Sequence, residues 1–158
     1  MANTQSMCTS FMGEVLTATH NFGTAPTRAS SAADTFKAAL YLASATINAS
    51  TTAYSATGEV SGTGYSAGGV TVTNATAPTA TNSSSTAGVA YWTPSASITY
   101  TTVTLTTAFD CVLIYNSTQS NKAVSVHTFG SQTITAGTFT LTMPSNTTTT
   151  ALLRFATT

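Results

Sequence analysis

The sequence contains very little charge. Only four Lys or Arg and four Asp or Glu residues occur in 158 residues, and they cancel to a formal net charge of zero. Proteins that hold nucleic acid rely on clustered Lys and Arg, which displace counterions from the phosphates. Docking on an acidic lipid surface needs similar clusters. We therefore expect no nucleic-acid partner and no membrane partner.

Long apolar runs are also missing. The longest apolar stretch, Ala38 to Ile47, is broken by Ser44 and Thr46, whereas a membrane-spanning helix needs about 20 predominantly apolar residues. Disorder is excluded for the opposite reason, because aromatic and β-branched residues occur throughout the chain. The length suits one compact domain.

Cysteine is limited to Cys8 and Cys111, which is too few for a disulfide framework. Cys111 lies in an apolar run and is expected to be a buried thiol. The segment from Met1 to His20 has neither the basic start nor the long apolar core of a signal peptide. We therefore expect synthesis in a cytoplasm, with both cysteines reduced.

Threonine is the residue that the sequence has in excess: it makes up about a quarter of the chain and serine about another eighth, well above average usage. The branched Cβ of Thr favours the pleated surface of a sheet. A surface of Thr and Ser is polar without creating a strong electrostatic field. This composition predicts β structure and suits proteins that pack against each other at high local density.

Apolar residues at helical spacing mark the start of the chain. Phe11, Met12, Val15 and Leu16 predict a short helix within Thr9 to Thr19. We expect residues 1–22 to form this helix or an arm, and residues 23–158 to form a single β-sandwich domain.

The remainder of the chain shows the alternation of β-strands. Strands are predicted at residues 34–43, 69–73, 89–92, 97–107, 109–115, 122–129, 132–135, 138–143 and 151–156. Residues 34–43 also permit a helix, but Thr, Phe and Tyr favour a strand. A change of phase within 97–107 predicts a β-bulge, residues 109–115 and 122–129 predict a hairpin, and 75–88 is expected to be an exposed loop. The pattern predicts an all-β fold, an antiparallel β-sandwich or jelly-roll-like barrel with about eight strands.

The ingredients of catalysis occur without a catalytic pattern. His20, His127, Asp34 and Asp110 accompany many serines, but no nucleophile elbow is present. The His and Cys residues lack metal-ligand spacing, and the glycines near Gly62 lack the lysine of a phosphate loop. We expect no catalytic, cofactor-binding or metal-binding residues, and therefore no enzyme.

Two successions of short motifs occur in order along the chain. The first comprises Thr19-His-Asn-Phe22, Asp34-Thr-Phe-Lys-Ala-Ala-Leu-Tyr41, Thr51-Thr-Ala-Tyr54, Glu59-Val-Ser-Gly-Thr-Gly-Tyr65 and Ala67-Gly-Gly69. The second comprises Val112-Leu-Ile-Tyr-Asn116, Ala123-Val-Ser-Val126, Phe129-Gly130 and Gly137-Thr-Phe-Thr-Leu141. In this succession the chain resembles a family of small virion structural proteins of tailed bacteriophages, of the head decoration (cement) type.

The resemblance implies a β-sandwich or jelly-roll-like body that binds the outer surface of the major capsid protein shell and stabilises it. It places the protein in the virion, at the capsid surface, after synthesis in the host cytoplasm. It carries no catalytic residues. A homo-oligomer, dimer or trimer, is expected.

Phe11, Met12, Val15 and Leu16 are the candidate contact with the capsid or another subunit. The alternative, that they cap the sandwich's own core, is equally compatible with the sequence. Two other functions remain open: a tail, neck or fibre component that contacts another virion protein or a host receptor, and a sugar-binding module that stacks a ring on Trp92, Tyr91 and Tyr100.

Overall fold

Two antiparallel sheets form the body of the molecule. The computed structural model describes residues 3–16, 19–22, 33–73, 77–81 and 88–156. Its elements are β1 (Ser6–Met7), α1 (Thr9–Leu16), β2 (Phe36–Leu42), β3 (Val70–Thr71), β4 (Thr79–Thr81), β5 (Val89–Trp92), β6 (Ile98–Asn116), β7 (Lys122–Leu141) and β8 (Leu153–Ala156). The five-stranded sheet has the order β1-β7-β6-β2-β3, and the three-stranded sheet has the order β4-β5-β8. The all-β prediction with about eight strands is confirmed, and the two sheets are consistent with a β-sandwich.

The long hairpin β6–β7 is the centre of the large sheet. The predicted hairpin is confirmed, but the strands predicted at 97–107 and 109–115 are one strand. The β-bulge predicted within 97–107 is confirmed, because the register shifts between Tyr100 and Val103 and Thr102 has a φ of 53°. A further shift between Leu105 and Phe109 lies where the two predicted strands join. Residues of both parities, such as Tyr100 and Val103, are therefore buried without a break in the strand.

The same correction applies to β7. The three segments predicted at 122–129, 132–135 and 138–143 form a single strand that ends at Leu141. Turn residues in this part of the sequence suggested breaks, but they occupy irregular positions within the ladder. Ala136, for example, has a φ of 48° next to a register shift.

The strand predicted at 34–43 is confirmed as β2. It lies between β6 and β3, which pair with its two edges, at a position where side chains of both parities are buried or half-buried. This position explains why its sequence is apolar on both parities and therefore resembles a buried helix.

The long connection between β2 and β3 runs beside the first part of β6, which β2 does not pair with. Thr104 donates its amide proton to the carbonyl of Thr63, with an N–O distance of 2.9 Å. A Cβ at Gly62 would lie 2.0 Å from the carbonyl oxygen of Thr104, so glycine permits the close approach. The connection is thereby attached to the sheet.

The N-terminal segment, defined as residues 3–16 and 19–22, lies on the other edge of the large sheet. Ser6 and Met7 pair with Val126 and Ser125 of β7, and helix α1 follows and contacts the same strand. The predicted helix is confirmed over Thr9–Leu16. None of the described helices is long and apolar enough to cross a membrane.

The small sheet contains one strand that the sequence did not indicate. Residues 79–81, predicted to lie in an exposed loop, form the edge strand β4 and pair with β5. All three are solvent-exposed, so no apolar alternation revealed the strand. Residues 75–76 and 82–87 of the predicted loop lie outside the described residues.

Candidate functional site

An apolar groove of about 470 Å³ opens between the N-terminal segment and the small sheet. It is lined by Phe11, Val15, His20, Asn21, Phe22, Ala77, Pro78, Ala90, Tyr91, Trp92, Leu153 and Phe155. The cross-strand pairs Ala90–Phe155 and Trp92–Leu153 place four of these residues on one face of the small sheet. The groove is therefore a place where the apolar interior of the fold is open to solvent.

Two exposed apolar side chains belong to this groove. Val15 is 38% exposed and Phe155 is 37% exposed, and they are the large apolar side chains that the described part of the chain leaves open to solvent. One lies on helix α1 and the other on β8. Exposed apolar side chains that share one concave surface indicate an interaction site better than scattered ones do.

Aromatic rings form the interior of the groove. Phe22 stacks on Phe36 with ring centroids 4.3 Å apart and contacts Trp92 edge-on at 4.8 Å. Phe11 lies 6.0 Å from Phe155. These contacts connect the N-terminal segment to both sheets, and aromatic pairs at such distances stabilise packing beyond the area they bury.

A buried polar network holds the N-terminal segment in place. His20 Nε2 lies 2.7 Å from Glu14 Oε2, and His20 Nδ1 lies 3.1 Å from Asn116 Nδ2. Glu14 also accepts a hydrogen bond from Lys122 Nζ at 2.6 Å, and Asn116 Nδ2 donates to Asp34 at 2.8 Å. Helix α1 is thus connected through His20 to the turn of the β6–β7 hairpin.

The acidic side chains of the protein are used inside the fold. Glu59 accepts hydrogen bonds from the hydroxyl groups of Tyr54 and Tyr65 and from the Gly68 amide, at 2.6–2.7 Å. Asp110 accepts one from Asn3 at 2.6 Å, and Glu14 and Asp34 belong to the network around His20. No Asp, Glu, Lys or Arg is among the residues lining the groove.

The two histidines lie in separate places: the side chain of His20 is buried and His127 is half-buried. Burial lowers the pKa of His20 despite the opposing effect of Glu14, and it lowers the pKa of His127 to about 4. His127 Nε2 lies 2.9 Å from the hydroxyl oxygen of Ser125, on the same face of β7. In the described residues no carboxylate hydrogen-bonds to His127, so this pair lacks the third member of a hydrolase triad.

Of the four predicted contact residues, two have described side chains. Phe11 is 1% exposed and packs edge-on against His20 at 4.9 Å, which places it in the core. Val15 is exposed at the groove. The side chains of Met12 and Leu16 lie outside the described residues. The alternative that these residues cap the core applies to Phe11, and the contact role stays a prediction for Val15.

The prediction that Trp92, Tyr91 and Tyr100 together form an aromatic platform for a sugar is wrong. Trp92 and Tyr100 are each 2% exposed, and Tyr100 donates its hydroxyl proton to the carbonyl of Ala38 inside the fold. Neither ring presents a face to solvent. Only Tyr91 of the three is partly exposed and at the groove.

Neither cysteine forms a disulfide: Cys8 and Cys111 are buried free thiols. Burial raises the pKa of Cys8 to about 11 and that of Cys111 to about 12. Within the ranges that the structure describes, no group of three or more His, Cys, Asp or Glu residues is placed to hold a metal ion.

Sequence reasoning missed most of the groove. Phe22 and Phe155 are far apart in the chain and share no short motif, and Phe155 was recognised only as part of a closing strand. No motif joins His20 to Asn116, which lies 96 positions further along the chain. The only signal was that His20 lies beside Phe22 at the end of the predicted helix, where an aromatic residue suggests burial.

No family model, no curated protein and no solved structure matches the chain.

Proposed function

We propose that the protein is a bacteriophage head decoration protein that attaches to the outer surface of the major capsid shell and stabilises it. The observation that carries the proposal is the groove: Val15 and Phe155 are exposed together on an uncharged concave surface. The sequence resemblance to small virion structural proteins of tailed phages supplies the class of partner. No catalysis is part of this function.

The mechanism is physical. DNA packed inside a phage head presses outward, and the shell subunits meet at seams that this pressure loads. A protein that bridges two subunits adds an interface that must break before the seam opens. Each copy needs only a modest contact energy, because the capsid lattice repeats the contact. We propose that the bound form is a dimer or trimer.

The carboxylates form their hydrogen bonds within the fold, and this limits the kinds of contact that the protein can make with a capsid. Because the four carboxylates accept hydrogen bonds within the fold and no Asp, Glu, Lys or Arg lines the groove, an interface at the groove rests on apolar packing and neutral hydrogen bonds. Such contacts are weakly screened by salt, and apolar packing dominates the centre of stable interfaces. We expect attachment to capsids to persist in about 1 M sodium chloride.

Reconstitution on capsids tests the proposal. Purified protein is added to heads that lack it, and bound copies are quantified on washed particles by gel densitometry. Hundreds of copies per head are expected. A dozen or fewer copies per virion, located at the tail or neck, would instead support the alternative of a tail, neck or fibre component.

A matched pair of variants tests the groove. Val15→Ser and Phe155→Ser are each expected to weaken head binding about tenfold or more, since burying one apolar side chain is worth about 1.5–3 kcal/mol. Val89→Ser is the control, because Val89 lies on the same sheet with the opposite strand parity to Ala90 and Trp92 and is not among the groove residues. Equal binding by all three folded variants would remove the groove from the proposed interface.

A further inference from the structure

His20 connects the N-terminal segment to the rest of the protein. Its side chain is 0% exposed, and both ring nitrogens are within hydrogen-bond distance of a partner: Nε2 of Glu14 and Nδ1 of Asn116. Glu14 lies on helix α1, and Asn116 is the last residue of β6. Any change in the hydrogen-bonding capacity of this ring therefore acts on the contact between the helix and the sandwich.

The surroundings determine which nitrogen carries the proton. Asn116 Oδ1 accepts hydrogen bonds from the amides of Thr118 and Gln119 at 3.1 and 3.2 Å, so its Nδ2 group must face His20. Nδ2 is a donor, and the ring nitrogen Nδ1 must accept from it. His20 is therefore neutral, with its proton on Nε2, donated to Glu14.

Protonation of this ring has no compensating partner at Nδ1. A second ring proton would point at the Asn116 NH₂ group, bringing two donors together at a separation of 3.1 Å. Aromatic rings surround the remainder of the imidazole: Phe11 at 4.9 Å, Phe22 at 6.2 Å and Phe36 at 6.4 Å. A positive charge here is thus both buried and poorly hydrogen-bonded.

The charged groups around His20 come from three elements. Glu14 on α1 favours a positive ring, but its other carboxylate oxygen already accepts from Lys122 of β7. Asp34, just before β2, accepts a hydrogen bond from Asn116 and also favours a positive ring, whereas Lys122 opposes one. Cys8 lies near Glu14, and its raised pKa keeps the thiol neutral. Burial outweighs these contributions and lowers the pKa of His20.

We propose that protonation of His20 releases helix α1 from the sandwich, so that the N-terminal segment is an acid-sensitive switch. Helix α1 has eight residues, too few to persist alone in water, so release also unfolds it. Phe11 and Val15, which line the groove, leave with the helix. Mild acid therefore removes one wall of the groove. The switch is a property of the chain itself and holds whether or not the groove binds a capsid.

The lowered pKa of His20 determines the direction in which docking depends on pH. The released histidine binds a proton near its ordinary pKa of 6.5, whereas the docked histidine resists it. As pH falls below 6.5, the docked state loses up to about tenfold in population relative to the released state per pH unit, until docked His20 itself protonates. Glu14, with a pKa lowered from 4.5, protonates only in stronger acid.

Hydrogen exchange of the α1 amides between pH 7.5 and 5 tests the switch, after correction for the intrinsic exchange rate. Protection is expected to fall by up to about tenfold per pH unit, accompanied by a red shift in the emission of Trp92, which is the single tryptophan and contacts Phe22. His20→Gln keeps a donor and an acceptor but does not titrate, and its α1 protection should be flat over this range.

His127→Gln is the matched control. Burial lowers the pKa of His127 to about 4, below the pH range of this experiment, so His127→Gln should retain the full pH response of α1. Protection that is independent of pH in the wild-type chain, or an unchanged response in His20→Gln, would overturn the proposal.

Nitrogen NMR of the wild-type imidazole provides a test that needs no variant, in case His20→Gln does not fold. At pH 7.5 the spectrum should show neutral His20 with the proton on Nε2. A proton on Nδ1, or a charged ring at that pH, would contradict the switch. Failure of capsid binding would leave these measurements unaffected, so the two proposals fail separately.

Discussion

Asn116 donates a hydrogen bond to Asp34 across 82 positions of sequence, with an Nδ2–Oδ2 distance of 2.8 Å. The same oxygen of Asp34 accepts from the backbone amide of Asn21 at 2.8 Å, and Asn116 is completely buried. One amide side chain therefore joins the hairpin turn, the entry to β2 and the N-terminal segment. Like the aromatic contacts inside the groove, these hydrogen bonds attach the N-terminal segment to the rest of the fold.

Replacing that amide should be costly. Asn116→Ala leaves the carboxylate of Asp34 and the amides of Thr118 and Gln119 short of partners, so we expect the free energy of unfolding to fall by about 3 kcal/mol. Urea unfolding measures the change. Asn146→Ala, at an exposed position, should alter stability by less than about 0.5 kcal/mol. A similar loss in both variants would contradict the central role of Asn116.

Stability should fall in acid because of His127. Its folded pKa of about 4 lies below its ordinary value of 6.5, so the unfolded chain binds the proton more readily. The stability contributed by this residue is present above pH 6.5 and is lost as pH falls towards 4, by about 3 kcal/mol in total. Unfolding curves at pH 7 and pH 4 measure this loss.

The contribution of His127 separates from that of other groups by substitution. His127→Gln should show a smaller decrease in stability between pH 7 and pH 4 than the wild-type chain, while the loss due to His20 persists. An identical pH dependence in the variant would show that His127 is not the buried neutral base that the structure indicates.

Two glycines should respond to the same substitution with very different losses of stability. A Cβ at Gly69 would lie 1.7 Å from the carbonyl oxygen of Ala38, and the residue has a φ of +71°. At Gly130 a Cβ meets nothing within 4 Å. Gly69→Ala is expected to lower stability by more than about 2 kcal/mol, and Gly130→Ala by less than about 1 kcal/mol. Thermal unfolding of both variants measures the difference.

Glu59 should hold the connection between β2 and β3 on the sheet. Its carboxylate accepts three hydrogen bonds, from Tyr54, Tyr65 and the amide of Gly68. Glu59→Gln replaces one acceptor oxygen by a donor that faces other donors, so a loss of about 2 kcal/mol is expected in urea unfolding. Tyr65→Phe should also destabilise the protein, because the Leu40 amide donates to that hydroxyl group at 3.0 Å.

Tyr91→Phe is the control for this set. The hydroxyl group of Tyr91 forms no hydrogen bond with the described residues, and the ring lies at the groove, far along the chain from Glu59. Its removal should leave stability within about 0.5 kcal/mol of the wild-type value. If Tyr91→Phe lost as much stability as Tyr65→Phe, the effect of Tyr65→Phe could not be attributed to the contact of its hydroxyl group with Glu59.

Apolar patterns predicted strands well where a strand meets the core. The strand from Phe109 to Tyr115 was predicted because apolar residues occupy both of its faces, and its hairpin partner because Val124 and Val126 recur at a period of two. The exposed strand β4 was not predicted, since its residues are Thr79, Ala80 and Thr81 and bury nothing. The bulge within 97–107 was predicted, but the continuity of β6 between residues 107 and 109 and of β7 through Ala136 was missed, because a register shift changes the phase without ending the hydrogen-bonded ladder.

The candidate site was less predictable than the fold. Helical spacing identified Phe11 and Val15 as one apolar group, but it does not state which of them faces the core. The rotation of α1 against β7 decides that: Phe11 is buried and Val15 is exposed. The opposite wall of the groove comes from residues 90–92, Leu153 and Phe155, more than 70 positions further along the chain than Val15.

The sequence by itself determined the class of fold and the neutral character of the surface, because both follow from local quantities: β-branched residues, alternation and the number of charged side chains. Only the tertiary structure decided where the few charges lie, which apolar side chains stay exposed, and that His20 is enclosed between Glu14 and Asn116. These features depend on contacts between residues far apart in sequence, and no local pattern specifies the geometry of such contacts.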